Sequence, residues 1–168
     1  MALFSIKLEN LQQLFLKELR DLYDAEKQIT EALPKMIDAA HHSELKNALE
    51  EHLHVTKQQI GRLDRVFQML QEKPTGETCK GMKGVLKEGD EIASAGGDPS
   101  TIDAAIITAA QRVEHYEMAG YGTVRTYAEL LGQHEIGTLL QQTLDEEKDA
   151  DETLTNIAGS VNIESKAA

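Results

Sequence analysis

At 168 residues, with 40% hydrophobic and 27% charged side chains, the chain has the size and balance of one ordinary domain, needing neither disulfides nor a structural metal to fold. Aromatics make up only 4%, with no Trp and three Pro, so the core falls to Leu, Ile, Val, Met and Ala, and helix is favoured over sheet. Twenty-nine acidic against seventeen basic residues leave a formal charge of −12, which disfavours nucleic acid and anionic membrane as partners.

Punctuation is sparse and divides the chain into long helical runs. From Ile6 to about Ala40, Leu8, Leu11, Phe15, Leu19, Leu22, Ile29, Leu33 and Met36 fit one helix face, with Pro34 expected to kink or end it. Ser43 is the expected N-cap of a second helix carrying Leu45, Leu49, Leu53, Ile60, Leu63, Phe67 and Leu70, which stops before Pro74-Thr-Gly76. A short helix is expected from Met82 to Ser94. A third long helix opens at Pro99-Ser-Thr101 and runs to Leu131, where Gly132 supplies a stop. A fourth runs from His134 to Ala158, leaving 158–168 as a frayed tail of a single domain spanning 1–168.

Short connections make hairpins of the first and second long helices and of the third and fourth, with Gln71–Asp98 between the hairpins. Two hairpins and one long connection define an all-α, ferritin-like four-helix bundle; an up-down-up-down bundle with an excursion satisfies the spacing too. The single Cys79 cannot form an internal disulfide, or a Cys-based zinc site unaided. No run approaches the ~20 apolar residues of a membrane span. Met1–Lys7 has no signal-peptide hydrophobic region, so a cytoplasmic location is expected.

On a helical wheel several ionisable residues fall on the apolar stripes. Glu26 lies about 40° from Leu22, Glu117 about 40° from Val113, and Glu147 and Asp151 within about 20° of Leu140. His52 sits among Leu45, Leu49 and Leu63, and Glu114 flanks its stripe one turn from Glu117. Glu117 and Glu147 are each about 15 residues from the Gly132 turn and so share a level roughly 22 Å from it. His52 is mismatched with Glu26 by roughly 9 Å, and Gln59 is nearer that level. Glu51 and His54, which read superficially as a Glu-x-x-His ligand pair, face away from the core, as does His115.

Buried carboxylates cannot pair with one another while ionised, and Lys and Arg are scarce on the inward faces. A bound cation is the economical answer, and carboxylates with an imidazole suit iron or manganese. Blander readings exist residue by residue. His52 alone reads as a hydrogen-bonded core histidine, and Glu26 alone as the partner of Tyr116, Tyr121 or Tyr127. Glu31, Glu50, Glu51, Asp145, Glu146 and Glu152 read as a solvated face.

Three strings, Asp21-Leu-Tyr-Asp-Ala-Glu-Lys-Gln-Ile29, Gln111-Arg-Val-Glu-His-Tyr-Glu-Met-Ala-Gly-Tyr-Gly-Thr123 and Thr143-Leu-Asp-Glu-Glu-Lys-Asp-Ala-Asp151, resemble the YciE/YciF family of bacterial ferritin-like stress proteins. The resemblance runs from about Leu11 to Leu154. It implies a ferritin-like bundle with extra short helices, a homodimer and an association with stress responses. It also implies metal-site roles for Glu26, Glu114, Glu117 and Glu147, with His52 and Asp151 next. Two positions depart from what such a site needs: Val55 stands where the family carries a Glu, and Ala150 where di-iron proteins place a His. The expected function is a stress-associated protein holding one or two iron or manganese ions, with redox chemistry toward ferrous iron, peroxide or oxygen and Tyr23, Tyr116 and Tyr121 as supporting donors. The rival is a non-catalytic structural or partner-binding bundle with a vestigial site; nothing in the chain indicates a shell-forming storage cage.

Overall fold

Five helices and no strand make up the described residues, 7–168, of the computed structural model. Most of the Met1–Lys7 segment read for a leader, and Ile6 as the start of the first helix, lie outside those residues. Helix α1 spans Leu11–Ala39 and begins at Asn10, whose side chain accepts from the Gln13 N–H at 2.9 Å. It starts later than the apolar spacing suggests because this cap, not the pattern, sets the boundary; Leu8 is left exposed. Pro34 does not end it. Pro34 lies on the exposed face, where water can serve the carbonyl its ring leaves without an amide, and the buried Leu33 holds the helix on course to Ala39.

Helix α2 spans Ser43–Leu70, so Ser43 is its first residue and not its cap, and His42 at the cap offers no side-chain bond. The turn is held from across the fold instead. Asp103, only 3% exposed, accepts from the His41 N–H at 2.7 Å and the His42 N–H at 2.8 Å. Removing it strands two amides, so Asp103→Ala is expected to cost about 3 kcal/mol in urea unfolding, and Asp103→Asn markedly less. A loss no larger than an exposed acid gives would show that the turn holds without it.

Helix α2 ends at Gln71 in the left-handed conformation (φ 55°). Helix α3 spans Lys80–Ala93, with the Cys79 Sγ accepting from the Met82 N–H at 3.3 Å. It lies close against the next helix at Gly81, where a Cβ would come within 2.6 Å of the Tyr116 ring. Helix α4 spans Pro99–Leu130, capped by Asp98 accepting from the Thr101 N–H at 2.9 Å. Gly132 (φ 73°) makes the turn into helix α5, His134–Ala167. The expected frayed tail is therefore helical: Leu154, Ile157 and Val161 continue one buried stripe past Gly159, and their burial outweighs the roughly 1 kcal/mol a mid-helix glycine costs.

Helix α1 packs on α2, α4 on α5, and the two pairs meet through α1 with α4 and α2 with α5; α3 lies against α1 and α4. The buried apolar side chains fall into two clusters. One joins Phe15, Leu19 and Leu22 to Leu63, Val66 and Phe67, with Tyr121, Val124, Ala128, Ile136, Leu140 and Leu144. The other joins Ile29 and Leu33 to Leu45 and Leu49, with Ile106, Ala110, Val113, Leu154, Ile157 and Val161. The start of α1 thus meets the ends of α2 and α4 and the start of α5. Between the clusters lie nearly all the buried polar side chains: Glu26, His52, Thr56, Gln59, Glu114, Glu117, Thr143 and Glu147. The apolar core is cut in two by a polar layer.

Candidate metal centre

Each long helix contributes to this layer because the same stripe that supplies Leu and Ile above and below carries at least one ionisable residue where the two clusters stop. Helix α4 gives Glu114 and Glu117, one turn apart, α5 gives Glu147, and α2 gives His52. These four each offer a ligand atom, all within 4.8 Å of one another. The level argument for Glu117 and Glu147 is met. The mismatch along α2 resolves differently from expectation: His52 lies against Glu114, its Nε2 3.5 Å from Oε1, and the Gln59 amide donates to Glu147. The His52–Glu114 contact is long and gives the imidazole no hydrogen bond.

Glu26 lies beside this group, and its Oε1 accepts from the hydroxyl of the fully buried Tyr121. Of the three tyrosines considered for Glu26, Tyr121 is the partner. Tyr116 instead donates to Asp21 and contacts the Cys79 sulfur, and Tyr23 packs edge-on against Phe67. Asp151 is not brought into the four-residue group. It is half-buried, accepts from the Gln111 amide at 3.0 Å and faces the exposed His115 at 3.3 Å. It stands one turn beyond Glu147, where Gln111 and His115 hold it at the edge of the stripe.

Arg62 also turns inward, an exception to the scarcity of Lys and Arg on these faces. Its side chain is 10% exposed and grips Glu146 through two nitrogens at 2.8 Å, with Thr143 beside it. Glu146 is thereby tied down as well, contrary to its expected place on a solvated face. The available signal was the spacing of Arg62 one turn from Gln59 on the inward side of α2.

One guanidinium does not balance four buried glutamates. Burial, then the Glu147 charge, pushes Glu26, Glu114 and Glu117 well above the usual carboxylate range. Burial likewise lifts Glu147 to about 7, against hydrogen bonds that pull it down. Burial drives His52 down to about 4, so its imidazole is neutral and ready to ligate. Seven buried polar atoms here have no hydrogen-bond partner: Glu26 Oε2, His52 Nε2, Gln59 Oε1, Glu114 Oε2, both Glu117 oxygens and Glu147 Oε2. Native interiors rarely tolerate such a concentration of orphaned acceptors. A divalent cation among His52, Glu114, Glu117 and Glu147 would satisfy most of them, and oxygen donors with one imidazole fit iron or manganese. Val55 and Ala150, which stand where further ligands were considered, line one cavity with His52 and Glu114.

An all-helical fold with an acid-rich layer dividing its core defines the class. The chain belongs to the family described as Domain of unknown function (DUF892), whose model matches residues 10–167. It is similar to Protein YciF of Escherichia coli strain K12, with 39% identity over 163 residues, covering 96% of this chain and 98% of that protein. The crystal structure of the E. coli stress protein YciF superposes with a TM-score of 0.89, over 92% of this chain and 98% of that one. YcfI of Rhodopseudomonas palustris, a candidate structural protein, is 47% identical over 90% of this chain and 97% of its own, with a TM-score of 0.87. A Xanthomonas campestris protein at 21% identity, with a TM-score of 0.73 over 91% of this chain and 93% of its own, shares the fold. Among the described residues no helix is long and apolar enough to cross a membrane.

Proposed function

We propose that this chain is a stress-associated, ferritin-like four-helix-bundle protein that holds iron or manganese, as one ion or two, among Glu26, His52, Glu114, Glu117 and Glu147, and uses it in redox chemistry. The observation that carries the reading is the seven orphaned polar atoms converging between two apolar clusters. The bundle assignment draws support from which helix ends share a cluster, since that order requires Gln71–Asp98 to run the length of the long helices. The stress association draws on the likeness to YciF.

Glu117, with neither oxygen partnered, would hold the ion or ions together with Glu114, Glu147 and His52, and Glu26 stands beside them. Tyr121 and Gln59 fix the rotamers of Glu26 and Glu147 by donating to them, and Arg62 pins Glu146 beside them. A bound metal of this kind would supply one-electron chemistry toward ferrous iron, peroxide or oxygen.

Because the acids hold protons tightly, binding must displace them. Anaerobic titration of EDTA-treated protein with ferrous ion at pH 6.5 is expected to saturate at one or two ions per chain, with about one or more protons released per ion. Saturation below about a tenth of an ion per chain, with no proton release, would leave a purely structural bundle, the reading that the description of R. palustris YcfI suggests.

A further inference from the structure

Beside the polar layer, toward the cluster that contains Leu49 and Leu154, the interior does not close. A cavity of about 430 Å³ lies between all five helices, within the range of small-molecule sites. Small residues create it: Ala32 from α1, Ala48 from α2, Gly89 from α3, Ala109 from α4 and Ala150 from α5. Most of its remaining apolar wall is Ile, Leu, Val and Met, so a void of this size forgoes packing that longer side chains would supply. Two polar side chains interrupt the apolar wall inside, His52 and Glu114, and each carries a buried atom without a partner. The charged residues on its lining are acidic at Glu31, Glu51, Asp90, Glu146 and Asp149 against Lys35 alone.

We propose that this cavity binds an uncharged lipophilic molecule with a single polar head, of the kind represented by a medium-chain alcohol, with the head hydrogen-bonded at His52 and Glu114 and the tail among the alanines. An anionic head is disfavoured by Glu114 and by the acidic lining. A cationic head would stay with the outer acids and leave the dry interior unfilled. The proposal goes beyond the metal reading and is made for the metal-free chain, because His52 and Glu114 cannot ligate an ion and hold the head at once; the cavity walls themselves are formed by packing.

The test uses the full chain after EDTA treatment, with the neutral fluorophore N-phenylnaphthylamine as probe and iron uptake measured separately. Fluorescence is expected to rise saturably with one site per chain, and decanol is expected to displace the probe about tenfold more effectively than decanoate or decyltrimethylammonium. Ala109→Leu and Ala150→Leu fill the cavity from two different helices, α4 and α5, and are each expected to weaken probe binding roughly tenfold while leaving a cooperative helical melt. Two variants guard against one that does not fold. Absence of saturable binding to the unsubstituted chain overturns the proposal. So does binding that either folded variant leaves unchanged, or displacement as effective by the charged amphiphiles. Iron uptake without probe binding removes the cavity proposal alone; probe binding without iron uptake removes only the metal reading.

Discussion

Replacing both Glu117 and Glu147 with Gln is expected to raise the thermal midpoint of EDTA-treated protein at pH 8 by roughly 5 °C or more and to weaken ferrous-ion binding at least about a hundredfold. The two effects have one cause. At pH 8 the unfolded chain carries these acids ionised and hydrated, whereas the fold buries them where burial and mutual repulsion resist ionisation. Glutamine keeps the shape and the capacity to hydrogen-bond, and removes the charge penalty. It also removes the ligands. A destabilised double variant would mean that the acids are integral to a structural network. A stabilised variant that still took up iron with full affinity would move the metal elsewhere.

The second large effect is on the pH dependence of stability. A group whose folded pKa is raised stabilises the fold, relative to the ionised state, below its unfolded pKa, and that contribution is lost as pH climbs through the folded value. For Glu147 the window runs from 4.5 to about 7, and for Glu26, Glu114 and Glu117 the loss continues upward because burial raises them well above the ordinary range. Glu147 alone accounts for about 3 kcal/mol across its window, or roughly 6–12 °C in the midpoint of a chain this size. His52 acts in the opposite sense. Its folded value of about 4 lies below 6.5, so its contribution is lost as pH falls through that range. EDTA-treated protein should therefore be most stable on the mildly acidic side and weaken between pH 5 and 8. Saturating ferrous or manganous ion should flatten or reverse the decline, because the cation takes over the role of the displaced protons. Calorimetry across pH, with and without metal, reads both. A midpoint that rises steadily from pH 5 to 8 without metal would contradict the account of how these acids are buried.

Much of this arrangement is legible in the chain because a long amphipathic helix fixes direction as well as burial. Glu26, Glu117 and Glu147 sit within a turn of Leu22, Val113 and Leu144, so stripe geometry alone aims them inward, and all three are fully buried. Glu114 and His52, nearer the edges of their stripes, are buried too. Where prediction slips, the deciding interaction is non-local. The α1–α2 turn takes its cap from Asp103, about sixty positions away, which no window around Ser43 contains. Arg62 turns inward because Glu146 and Thr143 of α5 receive it. Asp151 shares the wheel position of Glu147 but lies beyond the group, with Gln111 and His115 as partners. Pro34 reads as a break, yet its exposed position lets the helix absorb it, and the stripe through Ile157 and Val161 carries α5 past Gly159.

Diffraction from a crystal soaked anaerobically in ferrous ion, with anomalous differences recorded on both sides of the iron edge, tests the central claim most directly. The account predicts iron peaks bonded to Glu114, Glu117 and Glu147, with the His52 imidazole turned onto one of them. Iron found only on the exposed acids, with the four inward residues unmoved and unligated, would contradict it.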